Sequence, residues 1–243
     1  MIPKVIWQTH EYDFEDLPYP YNLNAKTWID KNPRYKYKYV NGAGRRSQIE
    51  LLRPDLLEAY DGIPGNVYKS DIWRYVVLSE YGGFYADIDS VCIKPLNLDL
   101  TKDFISITNG GYQKCNGYKE TFEFIETNHV DCSFFTKASI NNSHFACSPK
   151  NEILYSLLNT VKNNFKKSYP NGVGMYEMGH YHITDPLTFS NTLLEYREKV
   201  SESIVHHEMQ HYKSRLSCLD GDHGKEIEIC HGLFHHTEYI AVD

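Results

Sequence analysis

The segment Asn66–Tyr81 limits the possible folds of this chain more than any other stretch. Drawn as a helix, it carries apolar groups almost all round: Val67, Tyr68, Ile72, Trp73, Tyr75, Val76, Val77, Leu78 and Tyr81. A helix without a polar face is normally covered on several sides, so the fold must supply layers around it. Gly82-Gly83 then provides the residue type that closes a helix in the left-handed region and redirects the chain at once. The next residues, Phe84-Tyr85-Ala86-Asp87-Ile88-Asp89, read as a strand. Because side chains alternate across a sheet, Tyr85, Asp87 and Asp89 are expected on one face and Ala86 and Ile88 on the other.

Two acids on one face repel, and partly buried they are costly. A hard cation that prefers oxygen ligands, Mn²⁺ or Mg²⁺, is the simplest reason for the pair. A short Asp-x-Asp alone is a weak signal; the buried helix in front strengthens it. Asp71 and Arg74 lie three apart on that helix and so are neighbours on one side. They read either as a local ion pair or as charges kept in an internal helix for use.

The elements around this segment suggest an α/β domain. Lys4 to Gln8 reads as a buried first strand, Asn24 to Lys31 as a helix stopped by Asn32-Pro33, and Tyr35 to Val40 as a second strand near an edge. A helix over Ser47 to Tyr60, the turn at 62–65, the buried helix and the acidic strand complete a nucleotide-binding half with a parallel core. Ligands of such sheets sit beyond the carboxyl ends of the strands, where Asp87 and Asp89 are expected. Later, Phe104–Thr108, Asp131–Lys137 and Ser143–Cys147 read as strands, Asn151–Phe165 and Thr184–Lys199 as helices, and Tyr169–Tyr181 as a loop. Ile227–Ile240 reads as a strand followed by a histidine-bearing turn. A single domain over 1–243 is expected, with 1–110 as its nucleotide-binding half and 111–243 as a less regular second lobe.

Composition excludes several classes. At 243 residues and 41% hydrophobic content the chain can bury a full core. A net charge of -7 argues against nucleic-acid binding, which rests on clustered Lys and Arg. No window approaches the roughly 20 apolar residues of a membrane span, and the first residues lack a basic region followed by an apolar run. Six cysteines without Cys-x-x-Cys spacing read as reduced thiols of a cytoplasmic protein rather than as a zinc module. Of the 12 histidines, nine lie from His180 onward. Neutral imidazole suits a borderline cation, so His231, or alternatively His235 or His236, would complete a site begun by two aspartates.

Taken in order, Ile2-Pro-Lys-Val-Ile-Trp-Gln-Thr-His10, Trp28 with Asn32-Pro33, Ser70-Asp-x-x-Arg74, Gly82-Gly83-x-Tyr85-x-Asp-x-Asp89 and the late His231 resemble glycosyltransferase family 32. That group includes yeast-type mannosyltransferases and bacterial capsule enzymes, and its core is similar to that of the clostridial glucosylating toxins. The resemblance is dense over 1–97. It implies a GT-A fold with a Rossmann-like mixed sheet, a UDP- or GDP-sugar donor, a glycan acceptor, a divalent metal usually Mn²⁺, and retention of anomeric configuration. It further implies that Asp87, Asp89 and His231 hold the metal and that Asp71 and Arg74 bind the donor sugar, with Arg74 also near the phosphates. Val5, Trp7 and Gln8 would lie along the nucleotide base, and Tyr85 would shape that pocket. The chain departs from the family in following His231 with Gly-Leu-Phe instead of Gly-Ser-Trp. It also has Thr184-Asp-Pro186 where relatives often have Thr-Gly-Pro.

Two other classes compete. Phe84-Tyr-Ala-Asp-Ile-Asp-Ser-Val resembles the motif of haloacid-dehalogenase phosphatases, but that family places it near the first strand and here two strands precede it. A noncatalytic carbohydrate- or metal-binding module of the same fold is the second.

Overall fold

The computed structural model describes residues 1–92, 94–106, 142–169, 181–184, 186–196 and 198–200. In chain order its elements are β1 (Val5–Thr9), α1 (Tyr21–Lys31), β2 (Lys36–Val40), α2 (Gly42–Leu52), α3 (Leu57–Gly62), α4 (Asn66–Tyr81), β3 (Gly83–Ala86), β4 (Phe104–Ser106), β5 (His144–Cys147), α5 (Glu152–Ser168), α6 (Tyr181–Thr184) and α7 (Pro186–Glu195). The strands form one sheet in the order β2-β1-β3-β5-β4. The first three are parallel, with Val5 opposite Lys36 and Ile6 opposite Phe84, and β5 runs antiparallel to both β3 and β4. The expected parallel core is therefore present, extended by an antiparallel pair. β2 lies at the edge, as its alternating Tyr and Lys implied.

Both faces of the sheet are covered, which explains why β3, β4 and β5 are buried at every position. Trp7, Tyr85, Phe104, Phe145 and Cys147 point into the core shared with α4. Ile6, Phe84, Ala86, Ile105 and Ala146 point the other way, toward Trp28 of α1. The helix α4 has the predicted limits, and ten of its residues are buried, from Tyr68 and Asp71 through Ser79. It packs against α2 on one side and α5 on another.

Local chemistry sets the ends of these elements. The Asn41 side chain caps α2 by accepting from the Gly44 amide at 2.7 Å. The single helix expected over Ser47–Tyr60 is instead two, with a 3₁₀ turn at Pro54–Leu56 between them. Pro54 has no amide hydrogen and clashes with a preceding turn, so α2 stops at Leu52 and the chain restarts. At Gly82 and Gly83 φ is +64° and +110°. A Cβ on Gly82 would lie 2.7 Å from the Cys147 carbonyl, and one on Gly83 would lie 2.8 Å from that of Val5. Glycine is therefore required there by conformation and by space.

Of the later expectations, β4, β5 and α5 occur near their predicted places. The helix expected from Thr184 begins at Pro186, preceded by the short α6. The strand expected at Asp131–Lys137, most of the loop at Tyr169–Tyr181 and the whole of Ile227–Ile240 fall outside the described residues. Cys92 and Cys147 are free and buried, and burial pushes both thiols up from their ordinary value. No helix among the described residues is long and apolar enough to cross a membrane.

Candidate active site

The alternation of β3 directs the site. Tyr85 points toward α4, and Asp87, two residues on, follows it to the same side. There the Tyr85 hydroxyl donates to Asp87 Oδ1 at 2.6 Å, and Arg74 Nη2 lies 2.9 Å from the same oxygen. Arg74 Nη2 is also 3.0 Å from Asp71 Oδ1, one helical turn away. The guanidinium sits over the Tyr85 ring at 4.4 Å from its centre, a cation–π contact in a desolvated place. The sequence motifs Ser70-Asp-x-x-Arg74 and Tyr85-x-Asp87 thus meet in one buried chain: Asp71, Arg74, Asp87, Tyr85.

Electrostatics holds the Arg74 guanidinium in its charged form. Arg74 is 4% exposed. Burial pushes its guanidinium down, the negative charges of Asp87 and Asp71 push it up, and the net direction is upward. Tyr85 is raised well above its ordinary value, first by burial and further by Asp87. It stays a phenol and keeps donating.

The predicted strand does not carry both acids. β3 ends at Ala86; the Asp87 amide still bonds the Ser143 carbonyl at 3.0 Å, but Ile88 and Asp89 form a turn closed by the Ser90 amide on the Asp87 carbonyl at 3.1 Å. Asp and Ser favour turns because their short polar side chains bond nearby backbone. Here the Ser90 hydroxyl donates to the Asp87 carbonyl at 2.5 Å. Asp89 is accordingly presented by a turn at the carboxyl end of β3, not by the pleat.

Other residues of the sequence reading take structural places. Gln8 is wholly buried and uses both ends of its amide: Nε2 donates to the Asp87 carbonyl at 3.0 Å and Oε1 accepts from the Tyr37 hydroxyl at 2.9 Å. It supports the acidic turn from the face opposite Arg74. Trp7 is 7% exposed, gives its indole N–H to the Gly82 carbonyl at 2.9 Å and packs against Trp73 and Tyr81. With the half-buried Val5 it belongs to the core under α4. His231, His235, His236 and Asp185 lie outside the described residues.

Two members of the site escaped the sequence reading. Asn142 accepts from Arg74 Nη1 through its carbonyl at 2.9 Å. Its amide nitrogen donates to Asp71 Oδ1 at 3.2 Å and to the Tyr75 hydroxyl at 2.5 Å. Thr184 donates its hydroxyl to Asp71 Oδ2 at 2.9 Å. The usable signal is the polar pair Asn141-Asn142 placed directly before the predicted strand Ser143–Cys147.

A divalent cation fits the acids that are present. Both contacts to Asp87 fall on Oδ1, so Oδ2 carries neither, and 17% of the side chain reaches the surface. With Asp89 it offers an all-oxygen donor set suited to Mn²⁺ or Mg²⁺. Among the described residues no three His, Cys, Asp or Glu side chains gather to form a complete cage.

A mixed sheet whose third strand ends in this acidic turn, backed by a buried Asp–Arg pair, defines a GT-A glycosyltransferase fold. Solved structures agree: the PaToxG glycosyltransferase aligns with a TM-score of 0.55 at 16% identity, covering 80% of this chain and 70% of that one. The UDP-bound glycosyltransferase domain from the YGT toxin aligns with a TM-score of 0.55 at 11% identity, covering 86% and 81%. At these identities the likeness concerns the fold. Residues 18–106 match the family described as the glycosyltransferase sugar-binding region containing the DXD motif. An initiation-specific alpha-1,6-mannosyltransferase of Candida albicans is 39% identical over 100 residues, 39% of this chain and 26% of the relative. Inositol phosphoceramide mannosyltransferase 3 of Schizosaccharomyces pombe is 34% identical over 96 residues, 40% of this chain and 26% of the relative. Over this segment the chain is similar to members of glycosyltransferase family 32. It matches only about a quarter of the length of these curated relatives.

Proposed function

We propose that this chain is a metal-dependent retaining glycosyltransferase that moves a hexose from a UDP- or GDP-sugar to a hydroxyl of a glycan acceptor. The observation that carries the reading is the convergence of Asp71, Arg74 and Asp87 at the carboxyl end of β3, in the segment that matches the DXD family. The two curated relatives described above are named mannosyltransferases, which makes a mannosyl donor the first to test.

In this reading Asp87 and Asp89 hold Mn²⁺ or Mg²⁺. Bound there, the ion would supply charge stabilisation to a departing diphosphate. The protein's own contribution is positioning. Arg74 fixes the Asp87 carboxylate through Oδ1 and leaves Oδ2 turned to other use. Gln8 and the Ser90 hydroxyl fix the Asp87 backbone from below.

Retention needs either a covalent carboxylate intermediate or attack by the acceptor hydroxyl on the face the leaving group vacates. Asp71 spends Oδ1 on Arg74 and Asn142 and Oδ2 on Thr184, which suits a strut and not a nucleophile. The same-face route is therefore the proposal, and a glycosyl-enzyme adduct trapped in a mass spectrum would refute it.

The phosphatase alternative loses its support, since the acidic turn follows the third strand of a GT-A sheet. A noncatalytic binding module would share this geometry. A panel of UDP-glucose, UDP-galactose, UDP-N-acetyl sugars and GDP-mannose, assayed for hydrolysis with and without Mn²⁺, separates the two. Release of sugar from one donor only with Mn²⁺ supports the enzyme; no hydrolysis and no transfer with any donor supports the binding module.

A further inference from the structure

His144 sits directly across from the last residue of β3, paired with Ala86 in the antiparallel ladder. It is fully buried. Its ring stacks on Trp28 at 6.0 Å and 24° and lies 6.2 Å from the Phe84 ring, in the apolar layer beneath α1. An imidazole there is costly unless its nitrogens are bonded. Nδ1 lies 2.7 Å from the Ser143 hydroxyl, and Nε2 lies 3.1 Å from the Ser90 hydroxyl.

The direction of the second bond follows from its neighbour. Ser90 already gives its one hydroxyl proton to the Asp87 carbonyl at 2.5 Å, so its oxygen can only accept from the ring. Nε2 must carry the proton. The result is a relay from His144 Nε2–H through Ser90 Oγ–H to the Asp87 carbonyl, ending on the turn that presents Asp87 and Asp89. The same turn is tied to α1 by Trp28 Nε1 on the Ser90 carbonyl at 3.0 Å and by Asn24 on the Ile88 carbonyl at 3.4 Å.

We infer that His144 is a positioning residue for the metal-holding turn: through Ser90 it fixes the Asp87–Ser90 backbone from β5, and so sets how tightly that turn holds a divalent cation with a nucleoside diphosphate. The inference rests on the reading of Asp87 and Asp89 as the metal-holding pair. A histidine kept only for core packing would act through its ring's volume and stacking, which phenylalanine also offers. A positioning histidine acts through Nε2–H, which the glutamine amide replaces.

The test is Mn²⁺ binding in the presence of UDP or GDP, followed by the electron paramagnetic resonance signal of free Mn²⁺. It is run on the full chain and on Ser90→Ala, His144→Phe, His144→Gln and the double variant Ser90→Ala/His144→Phe. Losing one buried hydrogen bond, about 1 kcal/mol, corresponds to roughly five- to tenfold. Ser90→Ala and His144→Phe should each weaken Mn²⁺ by about that factor, His144→Gln should return to within about twofold of wild type, and the double variant should be no weaker than either single one. Wild-type affinity in folded His144→Phe, equal loss in His144→Gln, or additive loss in the double variant overturns the inference. Should His144→Phe not fold, His144→Leu takes its place by the same criterion. Should wild type bind no Mn²⁺ with either nucleotide, the metal reading fails separately, and hydrogen exchange at the Ser90 amide decides the relay. Exchange about tenfold faster in His144→Phe than in His144→Gln upholds the anchoring of the turn, and unchanged exchange refutes it.

Discussion

Arg74 Nη2 touches Asp87 Oδ1 at 2.9 Å, which joins the buried helix α4 to the acidic turn by one ion pair. The same nitrogen serves Asp71 at 3.0 Å, so a single cation balances two acids from different elements.

Arg74→Ala leaves the buried Asp71 carboxylate and the partly exposed Asp87 carboxylate without their shared cation. Removing one partner of such a group costs about 3–5 kcal/mol, to be read from urea unfolding. Arg74→Lys keeps the charge but loses the planar fork that reaches Asp87, Asp71 and the Asn142 carbonyl together. It should recover less than half of that loss. Full recovery by lysine would show that charge alone matters here.

Asn142→Asp changes a donor to Asp71 into a third acid at nearly constant shape. Asp71 then loses its amide partner and gains a repelling neighbour, and a loss of about 3 kcal/mol or more is expected. Asn142→Ala, which merely removes the bonds, should cost about 1–3 kcal/mol. The order of the two variants in denaturant midpoints checks the role of the Asn142 amide.

Trp7 separates a core role from a nucleotide-binding role. Trp7→Phe removes the indole N–H bonded to Gly82 and part of the packing against Trp73. It should lower stability by about 1–3 kcal/mol while leaving the donor KM of the folded protein within about twofold. A KM raised tenfold without loss of stability would return Trp7 to the nucleotide site.

Glu80 supplies a pH-dependent link between α4 and the segment leading into α5. Burial raises its carboxyl, but the ammonium of Lys150 and the hydroxyl of Tyr155 outweigh this and hold it below its ordinary value. A depressed acid stabilises the fold above its unfolded value, near about 4.3, and loses that contribution as pH falls through its lower folded value. Glu80→Gln should therefore unfold earlier than wild type at pH 7. The gap should close in acid, below about pH 4. A gap independent of pH would assign Glu80 to packing alone.

The parts legible in the sequence are those fixed by local pattern. The all-round apolar helix, the Gly82-Gly83 turn and the parallel order of the first three strands follow from periodicity and residue type. The pairing of Asp71 with Arg74 follows from helical spacing. What the sequence hid depends on contacts made across many residues. The Asp89 turn is closed by Ser90 and Gln8, which strand alternation does not see. Asn142 reaches Asp71 from 71 positions away, and Trp7 and Gln8 of one strand go to opposite faces with different partners. Pro54 was visible, yet the continuous apolar pattern over Ser47–Tyr60 concealed the break it makes in the helix.

The central claim is that Asp89, presented by the turn after β3, helps hold an ion needed for cleavage of a sugar nucleotide. Asp89→Asn removes one charge at almost constant volume, and donor hydrolysis over a Mn²⁺ titration measures its effect. The account predicts at least about a hundredfold loss of turnover in a variant whose melting temperature stays close to that of wild type. Hydrolysis by Asp89→Asn at the wild-type rate and with the wild-type Mn²⁺ dependence would contradict it.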